Sequence, residues 1–188
     1  HFATADERDK TFALQQLDTF LTAAGAVGIS PGGDIILHAA NSAATIDLPQ
    51  SRLDMVRPGL AVYGYQPSDQ MHNKLPLKPS LRLTSRLLQI KNVPAGYADG
   101  LARALSNKML VTIQGQLAPV RGRISMDQII IDLTDIPSAA VGDKVELISP
   151  NPAAPNSVEN LAIIENTIPY EIICRLGQRP RRTLVETF

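Results

Sequence analysis

The sequence has little of what would commit a chain to an easily read class. Its single cysteine, Cys174, leaves no disulfide to form within the chain, which fits a reducing compartment such as the cytoplasm. Its 18 acidic residues balance its 18 basic ones, so no net charge draws it to nucleic acid or to an anionic membrane. No apolar run is long enough to span a bilayer. The opening His1-Phe2-Ala3-Thr4-Ala5-Asp6-Glu7 has neither a basic region nor a following hydrophobic stretch, so it does not read as a signal peptide. It also has no initiator methionine, and the chain is expected to begin inside a longer polypeptide. The 3 histidines and the cysteine show no ligand spacing, so no metal is expected. A nucleotide-type glycine-rich loop and a Gly-x-Ser-x-Gly elbow are both missing, as are internal repeats and low-complexity tracts.

What remains is a globular composition, 44% hydrophobic and 19% charged, in a chain of 188 residues that suits one domain or two small ones. Phe12, Leu14, Leu17, Phe20 and Leu21 recur at helical spacing, predicting a helix over Asp6–Ala24 with Gly25 as its stop. Asp34–His38 reads as a short strand running into the polar Asn41-Ser42, and Met55–Tyr65 repeats that texture around Pro58-Gly59. Such strand-then-helix units build α/β barrels, which carry functional groups at the C-terminal ends of their strands. Proline, serine, asparagine and lysine gather between Tyr65 and Pro79, predicting a linker or long loop. Short strands follow at Ser80–Val93, Lys108–Ile113, Gln116–Val120, Gln128–Leu133 and Lys144–Ile148, then a helix over Asn156–Glu165 with Ser157 as a candidate cap. The expected architecture is α/β plus β: residues 1–67 as a partial barrel and residues 68–188 as a mainly β domain.

Several segments carry candidate chemistry. In Gly96-Tyr97-Ala98-Asp99-Gly100 a phenol sits on a tight glycine-flanked turn, and glycine permits the backbone angles a turn needs. A phenol of ordinary pKa about 10 serves as a base only if its pKa is lowered or its proton is taken up. On its own the segment also fits a hydrogen-bonded tyrosine in an ordinary turn. Arg57 precedes Pro58, which forces its backbone extended; a solvated surface arginine is the plainer reading. Ser42, Gly59 and Leu60 offer a hydroxyl and two backbone N–H groups to a phosphate, although Ser42 alone would pass for a helix cap.

Together with His38-Ala39-Ala40-Asn41-Ser42-Ala43, Val56-Arg57-Pro58-Gly59-Leu60, Gly122-Arg123-Ile124-Ser125-Met126-Asp127-Gln128 and Ile168-Pro169-Tyr170-Glu171, the Tyr97 segment makes an ordered set that resembles the pyridoxal-phosphate-dependent alanine racemases. The resemblance runs from His1 nearly to the C-terminus. It implies the second half of a TIM-type α/β barrel followed by a mainly β domain, and an isomerase that interconverts L- and D-alanine for the bacterial cell wall. Alanine is then the substrate and pyridoxal 5'-phosphate the cofactor, in a cytoplasmic homodimer with shared active sites. Tyr97 would take the α-proton from one face of the substrate, with His1 as its contact. Arg57 would bond the pyridine nitrogen, supported by His38, and its permanent charge would limit delocalisation into the ring. Ser42, Gly59, Leu60 and Tyr170 would hold the phosphate. Met126, through its backbone N–H, and Asp127 would meet the substrate carboxylate. Arg123 and Asp6 would line the entrance.

The resemblance also marks departures. Two-base racemisation needs a lysine that holds the cofactor as a Schiff base, in a Lys-Ala-(Asn/Asp)-Ala-Tyr-Gly context on an early barrel strand. None of Lys10, Lys74, Lys78, Lys91, Lys108 and Lys144 has that context, and the first half of the barrel is not represented. Family members also carry an extra strand before the tyrosine turn, whereas here Pro94-Ala95 leads straight into Gly96. The chain alone is therefore expected to be inactive. The alternative is a non-catalytic truncated remnant that binds pyridoxal phosphate, other phosphate ligands or a partner chain. A related barrel enzyme acting on another amino acid is a third reading; Arg57 argues against the decarboxylases, which place an acidic group at that nitrogen.

Overall fold

The computed structural model describes residues 1–185. The chain divides into two units, His1–Lys78 and Pro79–Phe188.

In the first unit, helix α1 (Thr11–Ala26) starts later than the apolar spacing predicts. The Asp9 carboxylate accepts from both the N–H and the hydroxyl of Thr11, the first helical residue, and so satisfies one of the unpaired amides at the helix start. These bonds hold the Asp9 carboxyl below its usual pKa. The stripe that α1 buries is Ala13, Leu17 and Ala24, while Phe12, Leu14 and Phe20 stay exposed. Ala13 and Leu17 pack with Phe2 and Ala5 against Ala43, Ala44 and Ile46 of helix α2 (Ser42–Asp47). Met71, from the predicted linker, is buried in the same cluster.

Asp34–His38 is not a strand. It has no ladder partner among the described residues and is held by Asp54, whose N–H donates to the Leu37 carbonyl at 3.1 Å and whose carboxylate accepts the N–H groups of Gly32 and Leu37 at 2.7 and 2.8 Å. Strand propensity without a neighbouring strand leaves Ile35 and Ile36 exposed. Met55–Tyr65 likewise forms no strand; its apolar run is a 3-10 turn, Leu60–Tyr63, ended by Gly64 at φ +83°.

The second unit is built on one antiparallel six-stranded sheet in the order β1-β6-β3-β4-β5-β2. Its strands are β1 (Leu83–Arg86), β2 (Asn92–Val93), β3 (Leu110–Ile113), β4 (Gln116–Arg121), β5 (Ile129–Ile131) and β6 (Lys144–Ile148). All five strand positions read from the sequence are strands here, but Ser80–Val93 is broken into two. Leu87 to Lys91 turns, with Lys91 at φ +74°, and the Leu88 N–H returns to the Asn92 carbonyl at 3.0 Å. The Ser85 hydroxyl donates to the Pro94 carbonyl at 3.1 Å, so the two edge strands of the order are drawn together and the sheet curls. Alternating burial along β3 puts Val111 and Ile113 inside with Val120, Ile129, Ile131 and Val145.

Helix α3 (Val158–Glu165) begins where its cap was read: Ser157 Oγ accepts the Asn160 N–H at 3.2 Å. A further helix, α4 (Pro169–Arg175), has proline at its first position. No helix was read at that position from the sequence.

Candidate functional site

The candidate residues fall into two groups, one in each unit. In the first unit, Asn41 is the cap of α2, its side chain accepting the Ala44 N–H at 3.0 Å. Ser42 sits one position further in and is buried. Its Oγ accepts the N–H groups of Gly59 and Ala61, at 2.9 and 3.2 Å. Both lone pairs of that oxygen are then engaged, so the hydroxyl proton is what Ser42 has left to offer a ligand. The bonds also draw the Pro58-Gly59-Leu60 bend onto the first turn of α2, so Ser42, Gly59 and Leu60 come together.

Arg57 lies just before that bend. Its N–H bonds the Ala40 carbonyl at 2.8 Å, Nη2 donates to the Ala39 carbonyl at 3.3 Å, and Nη1 contacts His38 Nδ1. Arginine has no acceptor, so His38 Nδ1 must be the unprotonated nitrogen, and the ring carries its proton at Nε2. The structure thus joins His38 to Arg57, the pairing expected from the sequence. His1 Nε2 lies 3.5 Å from Asn41 Nδ2, and a cleft of about 140 Å³ is lined by His1, Phe2, Leu17, Phe20 and His38.

In the second unit, Tyr97 opens a 3-10 turn, Tyr97–Asp99, and is 44% exposed. The Tyr97 and Ala98 N–H groups donate to the carbonyls of Ser125 and Met126, at 3.0 and 3.1 Å. Asp99 Oδ2 accepts the Gly96 N–H at 2.9 Å and closes the turn on itself. The two glycines serve different ends. Gly100 is left-handed, φ +105°, which only glycine adopts at little cost. Gly96 is extended, and is needed for closeness: a Cβ there would lie 2.3 Å from the Ser125 carbonyl oxygen and 2.4 Å from that of Met126. Gly96→Ala is therefore expected to destabilise the second unit by about 1–3 kcal/mol and to loosen the Tyr97 turn. Urea unfolding and amide exchange at Tyr97 and Ala98 check this; wild-type values for both would refute it.

Met126 and Asp127 lie in the loop that receives this turn. Ser125 and Gln128 bond to one another within it. A Cβ on Gly100 would fall 2.9 Å from the Arg175 carbonyl, so the turn also abuts the end of α4, whose second residue is Tyr170. Tyr97, Met126 and Asp127 thus converge, and the turn meets α4 at its C-terminal end, the other end of the helix from Tyr170. Arg123, also expected at the entrance, is exposed on the segment leading to this loop.

One residue here was not anticipated. Arg179 contacts Asp99 Oδ1 through Nε at 3.4 Å and Asp127 Oδ1 through Nη1 at 2.7 Å. No local pattern marks it, because its partners lie far away in sequence.

The second group bears a phenol on a turn docked to the Met126–Asp127 loop. The first bears a guanidinium and a hydroxyl proton, which suit a planar nitrogen heterocycle carrying a phosphate; the Gly59 N–H, expected as a phosphate donor, is instead taken up by Ser42 Oγ. Comparison with known proteins shows the family. The family described as "Alanine racemase, N-terminal domain" matches residues 1–67, and "Alanine racemase, C-terminal domain" matches residues 82–184. An alanine racemase of Halothermothrix orenii is 40% identical over 205 residues, covering 97% of this chain and 54% of that protein. Among solved structures, alanine racemase from Streptomyces coelicolor A3(2) superposes with a TM-score of 0.86 at 34% identity, covering 99% of this chain and 55% of the other. That of Bartonella henselae, with covalently bound pyridoxal phosphate, gives 0.84 at 33%, covering 98% and 53%. The chain thus spans about half the length of the relatives it matches. The alignment to the H. orenii protein is also longer than the chain's own 188 residues, so that relative carries residues with no counterpart here.

Proposed function

Because the chain belongs to the alanine racemase family, we propose that it supplies the tyrosine-bearing portion of an enzyme interconverting L- and D-alanine with pyridoxal 5'-phosphate. The observation that carries this is the docking of the Tyr97 turn onto Ser125 and Met126 through the backbone N–H groups of Tyr97 and Ala98, which fixes a phenol beside the candidate carboxylate-binding loop. Residues 1–67 act as part of a TIM-type barrel that binds the cofactor, residues 68–78 pack with that unit, and the β domain follows from Pro79. When bound, the cofactor supplies an electron-withdrawing ring that acidifies the α-carbon of an attached amino acid. The donor set of the first unit fits it: the Ser42 hydroxyl and the Leu60 amide for the phosphate, the Gly59 N–H being held by Ser42 itself, and Arg57 for the ring nitrogen.

Arg57 donates a hydrogen bond but does not surrender its proton, so that nitrogen stays unprotonated. His38 accepts from Arg57 Nη1 and holds its guanidinium in place. Tyr97 Oη takes the α-proton of one enantiomer on its own face while a proton is delivered to the opposite face, and in the reverse direction Tyr97 gives the proton to its face. The Met126 amide and Asp127 orient the substrate carboxylate, with Arg123 and Asp6 at the entrance. The opposite face belongs to a lysine outside this chain. Lys10 is tied into a buried ion pair with Asp47, and Lys74 is exposed against Asp69, so neither serves that purpose. The working enzyme is a cytoplasmic homodimer with shared sites, providing D-alanine for the cell wall.

The chain alone is then inactive. Mixed with a polypeptide carrying the first half of the H. orenii racemase, plus cofactor, it is expected to exchange the α-hydrogen of alanine with solvent deuterium. No exchange from a pair that associates and binds cofactor would favour the second reading, a remnant that binds the cofactor without turnover; the lysine contexts above are its support.

A further inference from the structure

We propose that Arg179 is a positioning residue that pins the Tyr97 turn to the Met126–Asp127 loop. The inference deepens the racemase reading and rests on it for its meaning in catalysis, though not for its geometry. Asp99 uses one carboxylate oxygen to close the turn on the Gly96 N–H and presents the other to Arg179 Nε. The same guanidinium bonds Asp127, next to the Met126 whose carbonyl receives the Ala98 N–H. One cation thus ties together both walls of the second group. Its backbone is stiffened by the following Pro180, which favours an extended Arg179.

The fork matters as much as the charge. Asp99 and Asp127 converge on one guanidinium, and without it two carboxylates face a shared point with no cation between them. Repulsion would then push turn and loop apart, adding to the loss of the bonds themselves. A lysine replaces the charge but not the two-pronged geometry. The carboxylates raise the Arg179 pKa, with the Asp127 hydrogen bond the larger cause and the charge of Asp99 next.

The test is amide hydrogen exchange on the whole chain, without cofactor, in Arg179→Met, Arg179→Lys and the double variant Arg179→Met/Asp127→Asn. Arg179→Met is expected to speed exchange at Tyr97 and Ala98 by about tenfold, the scale two partly exposed ion pairs supply, while Val120 in the sheet keeps its protection. Arg179→Lys should fall between, and removing the Asp127 charge should restore part of the protection, as simple loss of packing would not. In the wild-type chain, added salt should selectively weaken protection at Tyr97 and Ala98; this arm needs no variant to fold. Unchanged exchange at those amides in Arg179→Met, or an equal change at Val120, overturns the proposal, and so does insensitivity to salt. These readings need no turnover. If the pin responds as expected and the complemented enzyme is dead, the racemase reading falls and the pin stands.

Discussion

Asp47→Ala is expected to cost the first unit about 3–5 kcal/mol, because it strands a buried cation. Lys10 Nζ lies 3.0 Å from Asp47 Oδ2, the lysine side chain 10% exposed and the aspartate fully buried. The ammonium also donates to the Ala5 carbonyl at 2.8 Å. The two Asp47 oxygens accept the N–H groups of His72 and Asn73, at 2.9 and 2.8 Å. One carboxylate therefore fastens three segments: the stretch after His1, the end of α2, and the loop that delivers Met71 to the core. Burial pushes the Asp47 pKa up, but the Lys10 hydrogen bond and the two amides outweigh it and hold the carboxyl below its usual value. A depressed folded pKa means that this stabilisation is complete above the ordinary carboxylate range. It is lost as the pH falls through the folded value. Urea unfolding monitored on the first unit should show a loss above about 2 kcal/mol in Asp47→Ala at neutral pH, shrinking under acid. A loss below about 1 kcal/mol would mean that the pair is no more than a surface contact.

Tyr97→Phe, read in the complemented enzyme, is expected to slow α-hydrogen exchange by about 10²–10⁴-fold, the range for removal of a positioned general base. The substitution removes one oxygen from a half-exposed side chain and leaves the backbone bonds of the turn in place, so stability should hardly change. The effect should be asymmetric: wash-in of deuterium from the enantiomer whose proton faces Tyr97 collapses further than from the other. An equal modest decline for both enantiomers would make Tyr97 a packing residue and move the base elsewhere.

The sheet strands were legible because alternation and turn residues are local signals, as in Lys144–Ile148, which forms β6 with the bounds read from the sequence. Periodicity does not carry the strand order, nor the turn inside Ser80–Val93 that brings the sheet's edges together. The segments at Asp34–His38 and Met55–Tyr65 misread for the opposite reason. They have strand-like residues, but a strand exists only with a partner, and here Asp54 and a 3-10 turn take up the backbone groups. Helix α4 had readable signals, proline at its first position and Glu171 in its first turn.

At the site, Gly-Tyr-Ala-Asp-Gly was conspicuous as a turn. The cause of Gly96 lies in the approach of Ser125 and Met126, which no reading of five residues contains. Arg179 was invisible for the same reason: it meets Asp127 across a separation of 52 residues. Ser42 was recognised as polar and well placed, yet Asn41 caps the helix and Ser42 instead fastens the Gly59 bend.

The division of labour between this chain and a lysine elsewhere is tested most directly by equimolar pyridoxal phosphate titration of the purified chain, followed by borohydride reduction and mass analysis. The account predicts saturable binding that Arg57→Ala weakens, with no stoichiometric pyridoxyl-lysine adduct after reduction. A stoichiometric adduct on any of the 6 lysines would contradict it, because the chain would then carry its own cofactor lysine. Absence of saturable binding would contradict the cofactor-binding role given to Ser42, Arg57 and Leu60.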